Sequence, residues 1–307
     1  MNLASITLEQ VSILFLLILT GFVCGKTKIV TAEGKKVLSN LLVTVIMPAM
    51  VLNSYMSEFN TEVLSNLMLA FGLSTIAIVL AMAVSFLLTL KGKSENKTVL
   101  WFACSFSNAA YMGFPLIQAL FGAEGMIYAS AFVTMFNVIV WSVGYAVMSG
   151  KMQPKEILKS VGKNPVTYAV LLGLVLYLGR VPVPFILQEP LRLVGSMTTP
   201  LSMMIIGVMI AEGEITSVLK KSEIWFVVVV RLVVIPAVTF GLFYLFGVGG
   251  IVGSVILIQA ACPTAATTSV LAIQFHHDEV IGAGTVVLST VCSIVTLTVF
   301  ALLIQLL

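Results

Sequence analysis

Two short stretches carry the residues whose types and spacing could do chemistry. The first is SNAAYMGFPL, residues 107 to 116, with Asn108, Met112, Gly113 and Pro115. The second is CPTAATTSVLA, residues 262 to 272, with Pro263, Thr264, Thr267 and Thr268. Proline removes a backbone donor and clashes with the carbonyl four residues back, so each stretch predicts a helix that breaks just before its proline and restarts with it. The first half then ends in free carbonyls. The second half starts with free N–H groups and the positive end of a helix dipole. Such an N-terminus holds an anion without a basic side chain. The Asn108 amide could orient a carboxylate, and the three threonines could add hydroxyls. Ala109, Ala110, Gly113, Ala265 and Ala266 are small enough to let backbones approach one another. The competing reading makes Pro115 and Pro263 packing kinks, with Asn108 bonded to a neighbouring helix. Two such prolines, each set among polar residues, favour the site.

The elements that must position these residues follow from composition. Of 307 residues 59% are hydrophobic and 9% charged, with mean hydropathy +1.12. A soluble domain carries roughly a quarter charged residues and could not cover its surface with this few. Lipid leaves only helices and closed barrels for spans. The apolar runs are continuous rather than alternating, which selects helices. Ten spans are expected, at about residues 8–25, 36–56, 63–90, 98–121, 125–149, 166–179, 190–211, 223–246, 251–274 and 280–306. Thr7 and Gln10 read as a capping box for the first. No lysine or arginine precedes that run, where Glu9 sits instead, so it reads as a retained span rather than a signal peptide.

Charge tests the count. With the N-terminus outside, all thirteen lysines fall in the inside connections: Lys26 to Lys36, Lys91 to Lys97, Lys151 to Lys163, and Lys220 with Lys221. Arg180 and Arg192 fall outside, and Arg231 falls within span 8. The positive-inside rule therefore gives ten helices with both termini outside, in the cell (inner) membrane. The lysine loops meet anionic lipid, and nothing in them suggests nucleic acid. An internal repeat is also visible. Gly21 and Gly173 are 152 residues apart, as are Pro48 and Pro200, and Pro115 and Pro263 are 148 apart. This suggests a first five-helix repeat over 1–150, a connection over 151–164 and a second repeat over 165–307. Five spans are an odd number, so the second copy is inverted, an arrangement of secondary transporters. The fold class is thus an all-α membrane protein, a 5+5 inverted repeat with broken helices 4 and 9, whose two new N-termini converge on one point if the helices are crossing at their breaks.

The ionisable residues divide the remaining functions. Arg231 lies about eight residues, roughly 12 Å, into its span. Structural pairing, snorkelling and a part in the substrate pathway all stay open for it. Asn53, Ser54 and Tyr55 end span 2 and either line an outside mouth or mark the interface. Glu58, Glu62, Glu124, Glu212 and Glu214 read as solvated charges at span ends. His276, His277, Asp278 and Glu279 read as a turn with solvated side chains rather than a metal site. Cys24, Cys104, Cys262 and Cys292 have no ligand spacing and read as small buried residues. Asp278 is the one aspartate, in a loop, and no glutamate lies mid-span. That disfavours a sodium/proton antiporter. A membrane enzyme would need a nucleophile and base or a metal set at depth, and none is legible. A non-transporting sensor would need a signalling domain that the chain does not display.

Five stretches together are similar to the auxin efflux carrier family, which includes bacterial malate and malonate permeases and the plant auxin exporters. They are LLILTGFVCGK, LLVTVIMPAMVLNSY, NAAYMGFPL, PLSMMIIGVMIAEG and CPTAATTSVLA. The resemblance covers essentially the whole chain. It implies ten helices in an inverted repeat, a crossover of spans 4 and 9 at Pro115 and Pro263, Asn108 at the site, and transport of small organic anions. It carries no cofactor; coupling to Na+ or H+ stays open, as does uniport. A sodium-coupled organic-anion symporter of the bile-acid-transporter type is the alternative. The long cytosolic loop of the plant exporters is absent, so a bacterial form fits better. A homodimer through spans 2 and 7 is the candidate assembly.

Overall fold

The computed structural model describes residues 3–56, 60–90, 94–150, 165–212 and 215–304. The 151–164 connection, Glu58, Lys91, Lys93 and Glu214 lie outside the described residues. Regular structure among the described residues is helical, apart from one isolated antiparallel bridge. In chain order the helices are α1 (Leu3–Lys26), α2 (Ala32–Ser54), α3 (Thr61–Leu90), α4 (Lys97–Ser105), α5 (Ala109–Ser149), α6 (Pro165–Leu178) and α7 (Phe185–Ser196). They continue with α8 (Thr198–Glu212), α9 (Ile215–Lys220), α10 (Ser222–Leu245), α11 (Gly250–Ala261), α12 (Thr267–Gln274) and α13 (Glu279–Leu303). Six stretches are long and apolar enough to cross a bilayer: α2, α3, α5, α7 with α8, α10 and α13. The protein is a multi-pass membrane protein. Large apolar side chains such as Leu16, Met68, Leu87, Val175 and Val295 stand exposed on its outside, as a lipid-facing surface requires.

Three prolines shape the helices in one way. Pro48, Pro115 and Pro236 each follow a five-residue π-turn, at Leu42–Ile46, Ala109–Gly113 and Val230–Val234. A proline cannot donate to the carbonyl four residues back and its ring crowds that carbonyl. A widened turn with i→i+5 bonding relieves the crowding without ending the helix. The 41 residues of α5 would run to about 60 Å if straight, twice the hydrocarbon core. Gly122 divides it, with φ at +59°, a conformation that side chains other than glycine's rarely take. Thr7 does not stand at a helix start. The first helix already begins at Leu3, which puts Thr7 inside it. Capping does appear at α2, where Thr31 accepts from the Gly34 N–H at 3.2 Å, and at α13, where Asp278 accepts from the Ile281 N–H at 2.9 Å.

Helix contacts rest on small residues. A Cβ on Gly21 would stand 2.0 Å from the Met204 carbonyl oxygen, and one on Gly207 would stand 2.0 Å from that of Ile18. Backbone therefore packs on backbone between α1 and α8, the closest approach two helices in lipid can make. A Cβ on Gly173 would meet the Tyr55 ring at 2.6 Å, which places α6 against the end of α2. Several buried hydroxyls return to their own helix: Ser74 donates to the Ala70 carbonyl at 2.5 Å, and Thr239 to that of Ile235 at 2.9 Å.

Candidate functional site

The two interrupted segments meet at their breaks. The first lies at Phe106–Asn108, between α4 and α5; the second lies at Cys262–Ala266, between α11 and α12. The Asn108 N–H donates to the Pro263 carbonyl at 2.7 Å, and the Ala265 N–H donates to the Phe106 carbonyl at 2.9 Å. Ser107 and Thr264 form the antiparallel bridge between these bonds. Thr264 is pinned further. Its N–H bonds to Ser289 Oγ at 3.0 Å, and its hydroxyl donates to the Ala103 carbonyl at 3.1 Å. Buried backbone must find partners, and here each break supplies part of the other's.

The second segment does break just before Pro263, but it restarts at Thr267 rather than with the proline. Pro115 does not lie within its break. It sits in the second position of the α-helical stretch that follows the π-turn, seven residues beyond Asn108. Long-range backbone pairing, not proline, ends α4. Pro115 shapes the turn after the break instead.

Three kinds of polar group are left without partners among the described residues where the second halves begin. The N–H groups of Ala109, Ala110 and Tyr111 have no acceptor among the described residues, and neither do those of Ala266 and Thr267. Asn108 is 5% exposed and its amide makes no side-chain hydrogen bond among the described residues. The Thr267 and Thr268 hydroxyls are enclosed and have no partner among the described residues. Met112 is buried beside Gly113.

Gln259 joins this set and was not singled out from the sequence. It lies one turn before the second break, fully buried, with neither its amide oxygen nor its amide nitrogen paired among the described residues. Its Oε1 lies so close to Gly113 that a Cβ there would approach it to 1.9 Å. An unsatisfied buried amide costs about 1–3 kcal/mol, so a chain selected for packing alone would not keep one. Its signal in the sequence is a lone glutamine inside the apolar run VILIQAAC, one helical turn before a proline.

Arg231 joins the carbonyl ends of the two first halves. It is 1% exposed, so it does not snorkel. Its Nε donates to the Cys262 carbonyl at 3.1 Å, and its Nη1 donates to those of Cys104 at 3.0 Å and Ser105 at 3.3 Å. Its Nη2 bonds to the Ala260 carbonyl. These carbonyls terminate α4 and α11. Asn53 lies elsewhere, lining a cavity of about 390 Å³ with Gln118, Arg192, Ser196 and Thr199; its Oδ1 is buried and unpaired.

The remaining charges are more engaged than solvated ends would be. Glu212 pairs with Lys35, and Glu124 accepts from the Tyr128 hydroxyl at 2.8 Å. In the His276–Glu279 turn, Asp278 caps α13 and pairs with Lys221 at 2.8 Å. His277 Nε2 donates to the Met148 carbonyl at 2.8 Å. The four cysteines are free thiols, Cys104 and Cys262 buried.

Comparison with known proteins agrees with this architecture. The membrane transport protein family matches residues 6–162 and 151–301. An uncharacterized transporter of Methanocaldococcus jannaschii is 25% identical over 307 residues, covering 95% of this chain and 97% of its own length. Another, from Methanothermobacter thermautotrophicus, is 24% identical over 297 residues, covering 94% and 95%. With nearly its whole length matched, the chain belongs to the auxin efflux carrier-like family of membrane transport proteins.

Proposed function

We propose that this protein is a secondary transporter of small organic anions, carboxylates of the size of malate, malonate or an auxin-like acid. The observation that carries the reading is the set of unpartnered donors around the two breaks. Free N–H groups of Ala109 to Tyr111 and of Ala266 and Thr267, with the Asn108 and Gln259 amides and the Thr267 and Thr268 hydroxyls, converge where two helices start. Donors outnumber acceptors there, which suits an anion. Pro115 and Pro263 shape the turns that present them.

The scaffold we infer is ten spans in a 5+5 inverted repeat, with the interrupted helices crossing at their breaks. Gly122 makes two passes of α5. Three features support the repeat at the same spacing of 152 residues. Helices α1 and α6 end at Lys26 and Leu178. Lys28 and Arg180 then both turn left-handed, at φ 60° and 52°. The Gly21–Gly207 approach has its counterpart in Gly173 against Tyr55. Alternating access would rock the packed helices about the fixed meeting point. The cavity beside Asn53 and Arg192 serves as an entrance from the side opposite the lysines. Both termini then face outward from the cell membrane.

Uptake into proteoliposomes tests the reading. Labelled malate, malonate, a monocarboxylate and an indole acetate are offered separately, with and without sodium and pH gradients. Saturable uptake of one anion by the wild type, weakened in Asn108→Ala, is expected. Folded protein that moves none of them under any gradient would sink the proposal. A cysteine in place of Lys97 should label from the cytosolic side.

A further inference from the structure

Arg231 is a buried cation without a carboxylate. The ion pairs among the described residues join Lys35 to Glu212, Arg192 to Glu189 and Lys221 to Asp278. None involves Arg231. A guanidinium stays protonated in a protein, so its charge must be met by something else. Four carbonyl oxygens meet it, those of Cys104 and Ser105 at the end of α4 and of Ala260 and Cys262 at the end of α11. Each of these ends carries the negative pole of its helix. Carbonyl oxygens at a helix break are also the ligands by which discontinuous helices hold a monovalent metal ion.

We propose that Arg231 is a resident cation, filling the carbonyl cage at the meeting point that would otherwise take a monovalent metal ion, and thereby fixing the two breaks against each other. Its planar fork suits the task. Five donors in a fixed geometry reach oxygens on two different helices at once, which a spherical ion would do only with help from water or side chains. The π-turn Val230–Val234 carries Arg231, with Val230 and Leu232 buried on either side of it. The widened turn holds the guanidinium in register with both ends. Because the cage is filled by a side chain, its occupancy does not change through a transport cycle. No acid among the described residues neutralises its charge.

The constancy of the cage through a transport cycle rests on the transporter reading; the cage itself does not, and the experiment separates them. Purified protein in detergent is melted with increasing sodium, choline or methylguanidinium chloride, all at millimolar concentration and constant ionic strength. The wild type is expected to respond alike to all three. Arg231→Ala is expected to melt lower and to be stabilised saturably by methylguanidinium or sodium but not by choline. Arg231→Lys, which keeps the charge, is expected to resemble the wild type in its indifference to added cation. A saturable sodium-dependent rise in the melting temperature of the wild type would overturn the proposal. So would an Arg231→Ala protein that melts like the wild type. Should Arg231→Ala not fold, Arg231→Gln takes its place, with the same two outcomes. In proteoliposomes, cation rescue of at least tenfold lost uptake in the variant extends the role to transport. Cation rescue of melting in a protein that moves none of the anions retains the resident cation and sinks the transporter reading.

Discussion

Gly113 lies flat against the amide of Gln259: a Cβ on Gly113 would stand 1.9 Å from Oε1 and 2.8 Å from the carbon that bears it. No α-carbon substituent fits between the first turn of α5 and α11. Gly113→Ala should therefore cost about 1–3 kcal/mol, the usual range for overpacking, and should displace the Gln259 amide. Melting in detergent together with uptake checks this. The double variant Gly113→Ala with Gln259→Ala should melt higher than Gly113→Ala alone, because the colliding side chain is gone. Equal melting of the two would mean that the clash is relieved some other way.

Gln259→Leu should separate stability from function. The replacement fills similar space and removes two unpaired polar atoms, so it should leave melting unchanged or raise it by the equivalent of about 1 kcal/mol. The same change should raise the substrate KM roughly tenfold, or more if the amide bonds a charged oxygen. A variant that is less stable and transports normally would make Gln259 a structural residue.

Asn108→Ala tests the other amide. Its side chain has no protein partner among the described residues, while its backbone holds Pro263 and the first turn of α5. Alanine keeps the backbone bonds. With no bond of the side chain to lose, melting should fall little, while uptake at low substrate should fall roughly tenfold or more. Unchanged uptake would remove Asn108 from the site.

The Lys221–Asp278 pair predicts a pH dependence. Partial burial pushes the Asp278 carboxyl up, but the Lys221 ammonium and the Ile281 and Val280 N–H groups pull it further, and it titrates below the ordinary range. A carboxylate lowered in the fold stabilises it above its unfolded pKa of about 3.9. That stabilisation is lost as pH falls through the lowered native value. Asp278→Ala removes the cap of α13 as well and should cost about 1 kcal/mol at neutral pH. The melting difference from wild type should stay constant down to about pH 4 and narrow below it. A difference that widened in acid would contradict the assignment.

Much of this fold is legible because lipid constrains the chain so strongly. Continuous apolar runs, with lysines gathered into a few short stretches, place the helices to within a few residues. The position of Pro263 likewise marks a break. What the residues do not announce are features made by partners far along the chain. The first break falls at Phe106–Asn108 because Phe106, Ser107 and Asn108 pair with the segment around Thr264, and nothing within SNAAYMGFPL signals that pairing. Arg231 reads as a lone charge until the carbonyls of two other helices surround it. Gln259 reads as an ordinary polar residue in an apolar run until its amide proves to have no bond. Local propensity cannot see any of these, since each is a relation between segments that only the tertiary structure brings together.

The contact of Gly21 with the backbone of α8 has a consequence for how the protein is made. The surface that α1 needs is synthesised only after most of the chain has entered the membrane. Apolar helices feel no hydrophobic drive toward one another in lipid, so α1 can wait there without penalty, its glycine face turned to acyl chains. Its final seat is available only when α8 arrives. A ribosome stalled anywhere before Met204 thus leaves an inserted but unclosed protein. The first half, released alone, would expose a narrow strip of bare backbone shaped for a partner it never receives.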